Sequence, residues 1–382
     1  MNWRIDYHAS ITEIPETEWA ALDARGNVFL RHAFLVAAER HGAVSEENGW
    51  RPCHVAVRDD AGQLVGAMPL YLKSHSFGDF SHDWQWSSAY QRLGLRYYPK
   101  LVTGIPYTPA NGPRLLAHPQ ADRPLVTQRL IAAAIAQAQD LGCQTWQCLY
   151  VDALDLAAVS GAQLLLRRGC QFHWTNNGYV DFDDFLATFS SQKRKKVKRE
   201  RRYVAESGLI IEVLHGNELN AALWQEIHPL YQATFDRYGN YAAFSAGFFT
   251  EVSATLGREV VVFLARDANA PGAKLVAAAI CYRDATTLYG RHWGASADCP
   301  GLHFELCYYQ GIEYCLRHGL QRFEPGAQGE YKVSRGFTPV STWSAHWIAD
   351  DRMRVALADY FSREQQHVEN YQDEMAEHLP YK

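Results

Sequence analysis

His303, Glu305, Glu324, Glu330, Lys332 and Arg335 bring an imidazole, three acids and two cations into one short stretch of this chain. A carboxylate or imidazole that accepts a proton, set beside donors that steady a developing negative charge, is the equipment of acid–base chemistry. Glu324 and Glu330 flank the loop Pro325-Gly326-Ala327-Gln328-Gly329, where a carboxylate has little structural purpose, so either is expected to be the base. His303 is the next choice. Glu305 begins a helix whose N-terminal dipole favours negative charge, and that role explains it better than catalysis, though it stays among the candidates. Gln328, Lys332 and Arg335 are expected to hold a substrate. Metal chemistry is not expected. Cys299, His303 and Cys307 fall at four-residue steps, but Pro300-Gly301 breaks the helix that would align them, and there is no CxxC pair. Glu364-x-x-His367 occurs once, whereas di-iron bundles use that motif twice.

These residues sit in the second copy of a repeated pattern. Gly62–Leu72 reads as a turn and a buried strand, and Ala273–Tyr282 repeats it. A helix from Gln128 to Leu141 stops at Gly142 and leads into Thr145–Leu149. A helix from Glu305 to His318 stops at Gly319 and leads into Gln321–Glu324. Glycine after the last helical residue is a standard stop, because it takes the left-handed conformation freely. Arg168-Gly169 and Arg335-Gly336 each precede an aromatic strand, Phe172–Val180 and Ser341–Ile348. Four matches in one order predict a duplicated α/β domain: a first over residues 1–180, a second over 181–350, and a C-terminal helix over 351–382. Met353, Leu357, Phe361, Val368, Tyr371, Met375 and Leu379 give that helix an apolar stripe for docking on its own protein.

The second copy opens with SQKRKKVKRERR, Ser191 to Arg202. This run takes eight of the chain's 37 Lys and Arg and one of its 42 Asp and Glu, leaving 29 basic against 41 acidic residues elsewhere. Leu186, Phe189, Val197 and Val204 fall on roughly one helical face, interrupted by Lys193 and Glu200, and Ser190 or Ser191 offers an N-cap. A solvated basic face is the ordinary outcome of such a run. Its place at the seam of a duplication favours an anion-binding wall for donor phosphates, with Lys193, Lys195, Lys196 and Arg199 as the contacts. The first copy carries an insertion over about residues 74–100, holding Asp83, Trp84, Trp86, Tyr90, Tyr97, Tyr98 and Lys100. Its aromatics suggest a stacking wall for a substrate, with Asp83, Trp84, Trp86, Tyr98 and Lys100 as contacts. A small satellite core is the competing explanation for any single tryptophan.

The bulk composition sets limits on all of this. An apolar content of 47% with 21% charge describes a folded globular protein, and 382 residues suit about two domains. A net charge of −5 argues against coating DNA, which needs a broad basic face. No run approaches the ~18 apolar residues of a membrane span. The N-terminus lacks the apolar core of a signal peptide, and the eight cysteines are scattered, so a reduced, cytoplasmic protein is expected, as monomer or homodimer.

Two stretches carry a family resemblance: HDWQWSSAYQRLGLRYYPKLVTGIPYTPANGPRLL (His82–Leu116) and CPGLHFELCYYQGIEYCLRHGLQRFEPGAQGEYKVSRGFTPVSTWSAHWI (Cys299–Ile348). With the basic helix they resemble the FemAB-like class of N-acyltransferases, described as peptidoglycan biosynthesis or recognition proteins. The resemblance covers most of the chain. It implies an α/β fold of two tandem GNAT-like domains, with mixed central sheets flanked by helices. It also implies acyl or aminoacyl transfer to an amine on a small molecule or peptide. No tightly bound cofactor is implied. The co-substrate is acyl-CoA or aminoacyl-tRNA, which makes tRNA a partner. In GNAT enzymes an Arg/Gln-x-x-Gly-x-Gly/Ala loop cradles the coenzyme's pyrophosphate at a helix N-terminus. The corresponding residues here run Arg291-His292-Trp293-Gly294-Ala295-Ser296, with Ser in the last position and a long link to the helix. Arg291 and Gly294 join the donor contacts, and acyl-CoA is no better supported than aminoacyl-tRNA. A non-catalytic module that kept the fold to recognise a cell-wall precursor or nucleic acid is the alternative.

Overall fold

The computed structural model describes residues 3–162, 164–327 and 329–382; Gln328, expected among the substrate contacts, lies outside the described residues. Among the described residues no helix is long and apolar enough to cross a membrane. The chain forms two compact units, one of Met1–Cys170 with Ser341–Asn370 and one of Gln171–Val340 with Tyr371–Lys382. Mixed sheets with flanking helices make up both.

The first unit contains β1 (Arg4–His8), β2 (Trp50–Pro52), β3 (His54–Arg58), β4 (Leu64–Met68), β5 (Tyr71–Lys73), β6 (Lys100–Thr103), β7 (Leu116–Ala117) and β8 (Thr145–Val151). One sheet runs β1-β3-β4-β7. In the other, β5 pairs with β2 and β6, and β6 pairs with β8 in parallel through Leu101–Thr103 against Trp146–Cys148. The helix Arg123–Asp140 makes the crossover between β6 and β8 and buries Val126, Leu130 and Ala134. It packs closely on β4: a Cβ at Gly66 would lie 2.3 Å from Val126 Cγ1. Parallel neighbours require such a crossover, because a tight hairpin reverses the chain.

The second unit repeats the plan. Its strands are β10 (Leu209–His215), β11 (Val260–Asp267), β12 (Lys274–Arg283), β13 (Thr287–Ala295) and β14 (Arg322–Glu324), paired in that order. β10 to β13 are antiparallel, whereas β13 and β14 are parallel. The crossover between them is helical from Leu302 to His318, with a π turn at Glu305–Tyr309, and it ends at Gly319 (φ 67°). Buried apolar runs such as Val260–Ala265 form these strands, as a sheet covered on both faces demands.

Two further strands run from one unit into the other. β9 (Leu165–Thr175) ends with Trp174 and Thr175 paired to Phe323 and Arg322 of β14 in the second unit. β15 (Thr338–Ile348) runs with Trp343–Ile348 paired to β8 in the first. The closing strand of each repeat therefore completes the sheet of the other, and the chain passes between units three times. The C-terminal helix, Asp351–Glu377, follows β15.

Candidate functional site: a cavity where two parallel strands part

β13 and β14 pair over three residues only, Thr287–Tyr289 with Arg322–Glu324. β14 then ends and the chain turns at Pro325-Gly326, while β13 runs on to Ala295. The gap is a cavity of about 150 Å³, bounded by Gly290–Trp293 on one side and Pro325–Ala327 on the other. The register of β13 against β12 slips where Ile280 pairs with His292 and Cys281 with Gly290, so Arg291 is an extra, bulged residue. Bulges of this kind re-aim side chains beside functional sites. Gly290 permits the close approach of the turn, since a Cβ there would sit 3.2 Å from Pro325 Cα.

Lys332 enters this cavity from the turn Glu330–Arg335. It is 2% exposed, and its Nζ donates to the carbonyl of Gly326 at 2.6 Å. Among the described residues no carboxylate pairs with it. Burial therefore lowers its pKa from 10.5 to about 7. His303, from the first turn of the crossover helix, lines the same cavity within ring contact of Trp293 (5.3 Å), Tyr308 (5.5 Å) and Tyr331 (6.0 Å). Burial, with the Arg335 and Lys332 charges, lowers its pKa to about 4, so the imidazole is neutral at pH 7. Burial also raises the Cys307 thiol and Tyr308 phenol well above their ordinary values. Tyr308 and Tyr331 went unremarked in the sequence, where tyrosines are too common to single out two; Cys307 was weighed only as a metal ligand, and Trp293 only as part of the 291–296 segment.

The four carboxylates of the region lie elsewhere. Glu305 is clasped by Arg201, through Nε at 3.1 Å and Nη2 at 3.0 Å, and accepts from Gln310 at 2.8 Å. Glu324 is 4% exposed, with Arg322 Nε at 3.2 Å and His173 Nδ1 at 3.8 Å, and does not line the cavity. Burial, with Arg322 and Lys332, depresses His173 to about 3. Glu330 is exposed and accepts from Tyr371 at 3.0 Å. Glu200 accepts from Arg335 Nη2 at 2.7 Å and from the Tyr309 hydroxyl. Arg335 is 3% exposed, lies 3.4 Å from the Phe304 ring centroid and donates to the Tyr331 carbonyl at 2.7 Å. It holds the cavity wall together rather than facing into the cavity.

The basic run is one helix, Ser191–Ala205, beginning after Ser190 and burying Val197 and Val204. Glu200 and Arg201 flank that apolar stripe and point inward. Arg201 bridges Glu305 and Glu313 and lies 4.5 Å from the Phe182 ring centroid. Gly301 lets the crossover helix start against this surface, since a Cβ there would lie 2.8 Å from the Glu200 carbonyl. Lys198 pairs with Asp183 and Arg202 with Glu206, both in exposed positions. Lys193, Arg194, Lys195, Lys196 and Arg199 make no ion pair among the described residues. Of the expected donor contacts, Arg291 is at the cavity, whereas Gly294 lies inside β13 opposite Ala278. A Cβ at Gly294 would meet the Leu230 carbonyl at 1.9 Å, so close packing of a helix on the strand is what calls for glycine there.

In the first unit the inserted residues form an interior. Lys100, fully buried, pairs with Asp79 at 2.9 Å and with Asp83, and the Tyr97 hydroxyl and Gln147 also donate to Asp83. Burial opposes both charges, but the pair prevails, keeping Asp83 below and Lys100 above its usual pKa. Trp86 is 2% exposed and packs with Tyr90, Met353, Leu357 and Phe361, the satellite core weighed against a substrate wall. Tyr98 bonds Ser76 at 2.8 Å, and Trp84 is exposed. The space beside β8 that β6 leaves is filled by the protein's own chain. Gly112 bridges to Val151, and the buried Arg114 donates to Leu149, Pro113 and Ala110 carbonyls.

Two α/β units, each with parallel strands joined by a crossover helix and one with an open split, define a tandem GNAT-like fold. The chain belongs to the FemAB-like family of peptidoglycan biosynthesis/recognition proteins, whose model matches residues 10–382. Its fold resembles FemX at 11% identity and a TM-score of 0.53, over 94% of this chain and 100% of that one. A similar likeness holds to the C-terminal domain of a protein described as a lysylphosphatidylglycerol synthetase from Agrobacterium fabrum, at 11% identity and a TM-score of 0.55, covering 92% and 96% of the two chains. L-PGS from Bacillus licheniformis matches at 11% identity and 0.52, over 87% and 95%. No curated protein matches the sequence.

Proposed function

We propose that the protein is an N-acyltransferase, moving an acyl or aminoacyl group from a phosphate-bearing donor, acyl-CoA or aminoacyl-tRNA, to an amine. The observation that carries this reading is Lys332, a buried lysine without a carboxylate, in the gap between β13 and β14. The amine nitrogen attacks the donor's carbonyl carbon, and the carbonyl electron pair moves onto oxygen. Lys332 donates a hydrogen bond to that oxyanion from a side chain that is almost fully buried, where a donor counts for most. Collapse re-forms the carbonyl and expels the donor's sulfur or ribose oxygen. The proton shed by the amine passes through His303 to the leaving group. His303 takes the base's part because its neutral ring lines the cavity, whereas Glu324 is set against Arg322 and Glu330 faces solvent. The exposed cations of the basic helix hold the donor's phosphates.

Changing Lys195, Lys196 and Arg199 together to alanine is expected to weaken donor binding about tenfold or more, most at low salt, and leave unfolding within ~0.5 kcal/mol. Unchanged donor affinity would reduce the run to a solvated face. A second reading, recognition without turnover, is favoured by one observation: Arg291–Ala295 is strand, so the pyrophosphate loop of GNAT enzymes is not formed there. Mass spectrometry of an amine incubated with protein and donor separates the two readings.

A further inference from the structure

The cavity is electrically one-sided. Fourteen of the described residues line it, among them Lys332 and Arg291, and none of these is an aspartate or glutamate. Glu305, Glu324, Glu330 and Glu200 are each committed to partners outside it. Lys332 places one N–H on the Gly326 carbonyl and, among the described residues, has no other acceptor. Its remaining donors, on a side chain almost fully buried, call for an acceptor oxygen from a ligand. At about 150 Å³ the space admits only a small group.

We propose that this cavity takes a small carbonyl- or carboxylate-bearing group that carries no free amine, so that the group transferred is a short acyl and not an α-aminoacyl group. The second half of this statement rests on the transferase reading; the first does not. An α-ammonium would sit beside Lys332 with no aspartate or glutamate among the described lining residues, the arrangement that like-charge repulsion and desolvation both oppose. Other titratable groups face Lys332 from the elements packed against it. From β12 and β13 these are Cys281, Arg291 and His292; from the crossover helix, His303, Cys307 and Tyr308; from its own turn, Tyr331. Both histidines are kept neutral by burial, and Cys281, Cys307 and Tyr308 are pushed upward by it.

Binding of propionate and of alaninamide to the full-length protein, followed by calorimetry or by Trp293 fluorescence, tests this. Propionate should bind, and about tenfold more tightly at pH 6 than at pH 8, because protonation at about pH 7 controls the site. Alaninamide should bind at least about tenfold more weakly at pH 6. Lys332→Arg should retain propionate and lose the pH dependence, while Lys332→Met should lose propionate with its unfolding transition intact. Propionate failing to bind at 50 mM (roughly the weakest binding worth measuring), alaninamide binding as tightly, or Lys332→Met binding like wild type would each overturn the proposal. A transfer assay with propionyl and alanyl groups on the same carrier separates the two claims. Equal transfer of both contradicts the acyl selectivity and leaves the transferase reading standing. Transfer of neither, with propionate bound as described, removes the transferase reading and leaves the cavity assignment.

Discussion

Lys332 is where function and stability pull in opposite directions. Folding carries it from water, where its pKa is 10.5, to a site where it is about 7. Between those values the unfolded chain holds a proton that the folded chain has released, so its contribution makes stability rise with pH through that window. Below pH 7 the penalty of burying the ammonium is present in full. Lys332→Met is therefore expected to raise the unfolding temperature by roughly 2–4 °C at pH 6, less as pH approaches 10, while slowing transfer about 100-fold. Thermal unfolding at the two pH values checks this, and a loss of stability at pH 6 would contradict it. His303, with its pKa at about 4 against 6.5, likewise favours stability rising from pH 4 to 6.5. In the sequence, the Gly-rich loop announced that something unusual follows Glu324. Which side chain would face inward depended on where Pro325 turns, and no local pattern reports that.

At the scale of elements, the basic helix is a rigid platform because its inward face is ionic as well as apolar. Removing Glu200 strands Arg335 and the Tyr309 hydroxyl in a buried setting. Glu200→Ala should lower stability by about 3 kcal/mol, the order for breaking a buried pair by removing one partner. Denaturant unfolding reads it, and a change under ~0.5 kcal/mol would show the helix to be held by Val197 and Val204 alone. That inward role was legible: Glu200 follows Val197 by three residues and precedes Val204 by four, on the apolar face of a 3.6-residue repeat. The repeated strand–helix–strand pattern was legible too, through apolar runs and the stops at Gly142 and Gly319. The exchange of β9 and β15 was not, because pairing over such distances leaves no trace in local periodicity. Nor was the ionic interior at 79–100, where Lys100 and Asp83 read as substrate contacts until their burial together is seen.

For the whole molecule, the described residues form one open split between parallel strands, at β13 and β14. The first unit closes its own with Gly112 and Arg114, whose hydrogen bonds run to the β8 backbone. One propionate and one donor should therefore bind per chain, and a calorimetric stoichiometry near two would contradict this. Composition could not reveal it, since proline-rich residues 106–113 resemble any surface loop until they are seen beside β8. The central claim is transfer at the β13–β14 cavity through Lys332. The most direct test is liquid chromatography–mass spectrometry of amine acylation, with wild type and Lys332→Met supplied in parallel with acyl-CoA and with aminoacyl-tRNA. Wild type should form product with at least one donor, and Lys332→Met should do so at least about 100-fold more slowly, the order for losing an oxyanion donor. Product formed equally fast by Lys332→Met, or none from wild type with either donor, would contradict it.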